Sequence, residues 1–235
     1  MKTTNLLKSI IISIGILTII LSLISFEEAE SYVKPIFHIL VIILYSYSIK
    51  KISLPVILFF LGALLAEFLS THDFNKYFSW ITISLIVCFS SGIFLLIPIL
   101  LKSKKIKFKW ANVMFILLVI SGLSYIIGSI YHLSLEKLTD LTFFNLGTIL
   151  FCVFIGVCFY IEGFSLYSKS VLIFLTGIGY TITCLGSLVF HLYLEESSLL
   201  IGFVNLGEII AQYSFINFII HYHNTRELRN NNISI

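Results

Sequence analysis

Eight apolar stretches cover almost the whole chain, and they constrain its fold more than any other feature. They lie near 6–25, 35–49, 53–70, 78–101, 111–134, 141–161, 171–194 and 199–221. A helix that crosses the hydrocarbon core of a bilayer needs about 20 largely apolar residues. The pattern therefore predicts an all-α, polytopic membrane helix bundle of about eight transmembrane helices.

The composition agrees with a chain whose main solvent is lipid. Of the 235 residues, 58% are hydrophobic and 11% are charged, whereas soluble domains carry about 25% charged residues. Eight spans and their turns use nearly all of the length, so residues 1–222 are expected to form a single bundle. Residues 223–235 are expected to be a short, unfolded polar tail on the cytoplasmic side, with no output domain. The first stretch is interpreted as a retained span rather than a cleaved signal.

Lysines and arginines are distributed unevenly when the eight stretches are threaded alternately across a membrane. Twelve fall on one side, and Lys34, Lys76 and Lys137 fall on the other. Positive residues concentrate on the cytoplasmic side of membrane proteins. The sequence therefore predicts a multi-pass protein of the cell membrane with both termini cytoplasmic. The lysine-rich segment 102–110 is interpreted as part of this topology signal rather than as a nucleic-acid site.

Two short patterns recur in the second half of the chain. GSIYHLSLE at 128–136 resembles GSLVFHLYLE at 186–195, and FFNLGTI at 143–149 resembles FVNLGEI at 203–209. The order and the spacing of about sixty residues indicate a possible hairpin repeat, in which spans 5–6 share a plan with spans 7–8.

Two glutamates inside the apolar stretches are the strongest candidates for chemistry. Glu67 and Glu208 fall at similar depth in the outer half of the predicted bilayer, where a charged side chain costs up to about 2.5–3.5 kcal/mol. We predict that Glu67 acts as an acid and that Glu208 or His191 acts as a base or holds water. The alternatives are that Glu67 reaches the lipid headgroups and that Glu208 makes a structural bond between helices.

Further polar residues fall at the same predicted level and are candidates for a cavity lining. Substrate binding is assigned to His132, Asn145, Ser187, Asn205 and Gln212, with His38 nearby. The histidines are equally typical of membrane interfaces, and the two asparagines are typical of bonds that tie helices together.

Motifs for other chemistries are missing from the sequence. It contains no GxSxG elbow, phosphate-binding glycine loop or dinucleotide fingerprint, and its four cysteines form no CxxC pair. The histidines are not spaced as metal ligands usually are. No cofactor, metal, nucleotide or nucleic acid is therefore expected. Membrane lipid is the predicted partner, and the oligomeric state is left open.

Three segments resemble the YhhN-like lysoplasmalogenase family of eight-span membrane proteins. VKPIFHIL at 33–40 resembles the family's early Lys-Pro, GALLAEFL at 62–69 its Gly-Asp segment, and EIIAQYSFI at 208–216 its last-span Tyr-x-x-Ala-Gln. The resemblance implies hydrolysis of the vinyl-ether bond of a lysoplasmalogen. The chain departs from the family at Ala66-Glu67, which replaces Gly-Asp, and at Ser187 or His191, where a second aspartate is expected.

The sequence therefore leaves three functions open. The first is a lysoplasmalogenase-like hydrolase that acts on a lysolipid within the bilayer. The second is a small proton-coupled transporter or channel, which would use the intramembrane carboxylates. The third is a non-catalytic, lipid-binding relative of the family.

Overall fold

The computed structural model describes most of the chain. The described residues are 2–25, 27–50, 53–102, 110, 114, 117, 121–122, 124–125, 127–129, 132, 141–164, 167, 169–194 and 197–231. Six helices are bounded along these residues: α1 (Lys2–Leu23), α2 (Glu27–Ile49), α3 (Leu54–Lys102), α4 (Leu141–Phe164), α5 (Ser170–Tyr193) and α6 (Ser198–Asn231). All six are long and apolar enough to cross a membrane. The protein is therefore an all-helical, multi-pass integral membrane protein, as the apolar stretches predict.

Helix α3 folds back on itself at Asp73. Asp73 has an extended backbone (φ −168°, ψ 97°) between two helical halves, and its Oδ1 accepts a hydrogen bond of 2.9 Å from the Lys76 amide, as a helix N-cap does. A Cβ on Gly62 would lie 2.7 Å from the Ser84 carbonyl oxygen, whereas 22 residues of straight helix would separate these positions by roughly 33 Å. The halves 54–72 and 74–102 therefore pack side by side, and they correspond to the third and fourth apolar stretches.

Two helix boundaries differ from the sequence-based expectation. The second apolar stretch begins at residue 35, but α2 begins at Glu27 and contains Pro35 in its interior. The helix starts early because Glu30, Lys34 and His38 are spaced four residues apart on one face and all find partners inside the bundle. Pro55, by contrast, lies in the first turn of α3, where its missing N–H costs nothing.

The polar tail is the second difference. Residues 223–235 were expected to be unfolded, yet α6 continues to Asn231. Extending an existing helix adds one hydrogen bond per residue without a new nucleus, so a polar segment can continue a long apolar helix.

The six helices pack in a ring around an aromatic core. Helix α6 packs against α5, α1 and α2; α1 against α2; α3 against α2 and α4; and α4 against α5. A Cβ on Gly179 of α5 would lie 2.5 Å from the Gly207 carbonyl oxygen of α6, so small residues let these two backbones approach closely. At the centre is an aromatic cluster of Phe59, Phe89, Phe154, Tyr180 and Phe215, in which Phe59 and Phe215 stack with ring centroids 4.3 Å apart.

The predicted repeat pairs 128–136 with 186–195 and 143–149 with 203–209. Most of the first copy, 128–136, lies outside the described residues. The asparagines of the other pair of matching segments differ in environment, because Asn145 is exposed and Asn205 is buried.

Candidate functional site

One face of α2 carries three ionisable residues into the interior. Glu30, Lys34 and His38 follow one another at intervals of four, which places them on one side of a helix. They are 7%, 3% and 1% exposed, respectively. An ionisable side chain is this deeply buried only when partners replace the water it has lost.

Lys34 is held by two carboxylates. Its Nζ lies 2.8 Å from Glu30 Oε1 on the same helix, and it forms a second ion pair with Glu67 of α3. The lysine therefore joins α2 to the first half of α3. The same contacts position Glu67, whose bond to Lys34 favours the interior over the lipid headgroups.

His38 connects Lys34 to α6. Its Nδ1 lies 3.0 Å from the Lys34 carbonyl oxygen, an acceptor, so Nδ1 carries a proton and donates it. Its Nε2 lies 3.1 Å from Glu208 Oε1. The amide nitrogen of Gln212 lies 2.8 Å from the same Nε2. A hydrogen bond between Nε2 and Glu208 Oε1 requires one further proton, on either the imidazole or the carboxyl group, whereas a bond from the Gln212 amide to Nε2 requires none. Gln212, one turn beyond Glu208, donates a bond of 2.8 Å to the same Oε1.

Asn205 completes a polar cluster that joins four helices. Its Nδ2 donates to Glu30 Oε1 over 2.8 Å and to the hydroxyl of Ser22 in α1. We call the eight connected residues the buried polar cluster: Ser22, Glu30, Lys34, His38, Glu67, Asn205, Glu208 and Gln212. Two amide oxygens of this cluster, Asn205 Oδ1 and Gln212 Oε1, are buried without a hydrogen-bond partner among the described residues.

A cavity of about 130 Å³ lies beside the buried polar cluster. Residues of α3, α4, α5 and α6 line it, together with Ile127. Glu67 and Glu208 are the carboxylates in its wall, and six aromatic rings make up much of the rest: Phe74, Phe78, Phe89, Phe144, Phe151 and Tyr180. Two acidic groups from distant parts of the chain therefore face one largely apolar space.

The aromatic cluster closes the bundle on the side of the cavity away from the Asp73 turn. Phe59 is eight residues before Glu67, and Phe215 is seven residues after Glu208, which places both rings roughly 10–12 Å along their helices from the carboxylates. Phe89 and Tyr180 belong both to this cluster and to the cavity wall. The cavity therefore ends against packed rings.

The predicted site residues fall into four groups. Glu67, Glu208 and Ser187 line the cavity. Asn205 and Gln212 do not line it but belong to the buried polar cluster, where they donate hydrogen bonds to Glu30 and Glu208. His191 stacks on the cavity residue Phe74, with ring centroids 4.5 Å apart and planes inclined by 5°. His132 and Asn145 have exposed side chains, so the structure does not bring them to the cavity.

Lys34 and Glu30 were missed as site residues. The second apolar stretch is short and begins at residue 35, so its pattern places Lys34 in an outer loop. The spacing of Glu30, Lys34 and His38 was the available signal, since repeated charges four residues apart indicate a helical face.

Within the described residues, no group of three or more His, Cys, Asp or Glu side chains is arranged to hold a metal ion. Comparison with protein-family models, curated proteins and solved structures gives no match to this chain.

Proposed function

We propose that the protein is an eight-span membrane hydrolase that cleaves the vinyl-ether bond of a lysolipid inside the bilayer. The eight spans are α1, α2, the two halves of α3, the apolar stretch predicted at 111–134, and α4 to α6. This even number, with the predicted charge asymmetry, would put both termini in the cytoplasm. The family resemblance suggested by the sequence supplies the reaction class.

The observation that supports this proposal is the pairing of Glu67 and Glu208 at one apolar cavity. Hydrolysis of a vinyl ether requires a proton donor and an activated water molecule in the same place. A site that is closed by aromatic packing and lined by acidic groups is suited to this chemistry, since charges act strongly where water is excluded.

The reaction begins with transfer of a proton to the alkene carbon that is not bonded to oxygen. The product is an oxocarbenium ion, and water then adds to its carbon next to the oxygen and loses a proton. The resulting hemiacetal collapses to an aldehyde and the alcohol of the glycerol backbone. One water molecule is consumed, and the proton used in the first step is returned.

We assign the two roles in the opposite sense to the sequence-based prediction. His38 Nε2 lies 3.1 Å from Glu208 Oε1, and a proton held between these atoms would lie at the cavity wall, so this pair is assigned as the proton donor. Glu67 is the carboxylate partner of a lysine ammonium, so it is assigned to stabilise the oxocarbenium ion and to accept the proton of the attacking water. Ser187, in the cavity wall, is assigned to substrate binding, and Asn205 and Gln212 hold the carboxylates in position.

The test is aldehyde release from vesicles that contain the purified protein and a lysoplasmalogen. We expect Glu208→Gln to lower the turnover by about 100-fold or more, because a general acid contributes roughly 10²–10⁴-fold. The matched control is Glu162→Gln, which changes a glutamate within α4 that does not line the cavity; its turnover should stay within about twofold of the wild type.

A lysolipid with a saturated ether in place of the vinyl ether should release no aldehyde. Equal turnover in Glu208→Gln and in the wild type would contradict the assigned acid. Absence of aldehyde release by the wild-type protein would overturn the hydrolase proposal and leave a non-catalytic lipid-binding protein.

A proton-coupled transporter is the second candidate. The observation in its favour is the chain of buried ion pairs across α2, α3 and α6, since intramembrane carboxylates are typical of proton relays. We place it second because the aromatic cluster blocks a continuous path beyond the cavity. Acidification of the same vesicles under a pH gradient would distinguish it from a hydrolase.

A further inference from the structure

The charges at the cavity differ from those directly behind it. Glu67 and Glu208 line the space, whereas their partners Lys34 and His38 do not. Among the described residues, no lysine, arginine or histidine is part of the cavity wall. A ligand in the cavity would therefore meet carboxylates and no cation.

The charge balance of the buried polar cluster adds to this preference. Three carboxylates, Glu30, Glu67 and Glu208, face the cations Lys34 and His38. Even when His38 is protonated, these two cations balance only two of the three carboxylates. The cluster then carries one negative charge in excess, and a buried charge is costly unless a partner compensates it.

The uncharged part of the wall also suits a cation. Six aromatic rings face the cavity, and the faces of aromatic rings attract cations in desolvated sites. Tyr180, a residue only 3% exposed, belongs to this wall, and the partner of its hydroxyl is the weakly hydrogen-bonding thiol of Cys88. The Tyr180 oxygen is thus a buried acceptor without a strong donor.

The volume of the cavity limits the part of a ligand that it can enclose. An apolar cavity of about 150 Å³ holds a benzene molecule, and this cavity measures about 130 Å³. It accommodates one ring or a short alkyl group, or a segment of that size from a longer lipid, with a polar end directed to the carboxylates.

From these four features we infer that the cavity binds compact apolar ammonium ions, with the ammonium group at Glu67 and Glu208 and the apolar body against the aromatic rings. Such an ion carries only N–H donors, which match the carboxylates and the Tyr180 oxygen. The inference uses the cavity of the proposed function but does not depend on hydrolysis. It can therefore hold or fail by itself.

The probe is benzylamine, which is protonated at pH 7.5, and its matched analogues are the neutral benzyl alcohol and the anionic benzoate. Binding to the detergent-solubilised protein is measured by ligand-observed NMR titration without lipid substrate. We expect benzylamine to bind at least about tenfold more tightly than benzyl alcohol, since hydrogen bonds to charged groups contribute about 1.5–3 kcal/mol and 1.4 kcal/mol is a factor of ten. Benzoate should bind more weakly than either.

Variants locate the binding. Glu208→Gln and Glu67→Gln should each weaken benzylamine binding by about tenfold and leave benzyl alcohol within twofold, because each replaces a carboxyl group that accepts N–H donors by a neutral amide of nearly the same shape. Ala66→Leu, which fills the cavity, should weaken both ligands. Glu162→Gln should change neither. Thermal unfolding of each variant verifies that it is folded before its binding is compared.

Equal affinity for benzylamine and benzyl alcohol would overturn the inference, as would benzylamine binding that survives both glutamate substitutions. Absence of binding by all three probes would also overturn it. None of these results bears on aldehyde release, which is measured separately with the lysolipid, so failure of the inference and failure of the hydrolase proposal are distinguishable.

Discussion

A lysine that is 3% exposed inside a membrane helix bundle requires partners as close as those of Lys34. Its two partners are Glu30, on its own helix, and Glu67, on α3. Removing one partner from a buried ion pair leaves an uncompensated charge, which costs about 3–5 kcal/mol, although replacing a whole pair by apolar residues is often neutral. The single residue therefore stabilises two carboxylates at once.

We expect Lys34→Met to lower the free energy of unfolding by about 3–5 kcal/mol, because Glu30 and Glu67 lose their counter-charge. The measurement is the unfolding equilibrium in mixed micelles as the denaturing detergent is increased. Lys76→Met is the control, since Lys76 is exposed near the Asp73 turn, and a surface change of this kind should stay within about 0.5 kcal/mol. Equal effects of the two substitutions would show that the Lys34 ion pairs do not stabilise the fold.

The residues of the cavity could be predicted in part. Glu67 and Glu208 stand out because a carboxylate inside an apolar stretch is costly. The sequence could not distinguish Asn205 from Asn145, which occupy matching positions in similar segments, because the direction of a side chain depends on which neighbours its helix meets. The bonds of Asn205 to Ser22 and Glu30 join residues 183 and 175 positions apart, and a local pattern carries no information on such pairs.

At the scale of the helix, the length of an apolar stretch predicted the helix boundaries well where the adjoining turns are short and polar. The expected stretches 141–161 and 171–194 correspond closely to α4 and α5. Apolar length failed at α2 and α6, where charged or polar residues continue the helix. In α2 those residues have partners on their own helix and across the bundle, which hydropathy does not register. In α6 the helix continues because each added residue gains a backbone hydrogen bond.

Contact between helices α5 and α6 depends on glycine. We expect Gly179→Ala to lower the free energy of unfolding by about 1–3 kcal/mol, because the new methyl would lie 2.5 Å from the Gly207 carbonyl oxygen and would force the helices apart. Gly156→Ala is the matched control within α4, where a Cβ meets nothing within 4 Å. It should stabilise the protein by about 0.5–1 kcal/mol, the usual gain for alanine over glycine in a helix. Stabilisation by both substitutions would contradict the close packing of α5 on α6.

At the scale of the whole molecule, two assemblies meet at the two carboxylates. The buried polar cluster joins α1, α2, α3 and α6, and the cavity is formed by α3, α4, α5 and α6. Glu67 and Glu208 belong to both. The carboxylates of Glu67 and Glu208, which are costly to bury, therefore form ion pairs on one side and border the apolar cavity on the other.

The reversal of α3 at Asp73 leads to a prediction for the membrane topology of the whole chain. If each half of α3 crosses the bilayer, position 72 lies outside, and positions 3, 50 and 224 lie in the cytoplasm with both termini. Single cysteines at these exposed positions, in a background without the four native cysteines, can be tested with a membrane-impermeant maleimide added to intact cells. In intact cells we expect labelling of His72→Cys only. Labelling of Thr3→Cys, Lys50→Cys and Asn224→Cys is expected only after the cells are lysed. An α3 that crossed once would put positions 50 and 101 on opposite sides, so labelling of Leu101→Cys in intact cells without labelling of Lys50→Cys would rule out the double crossing.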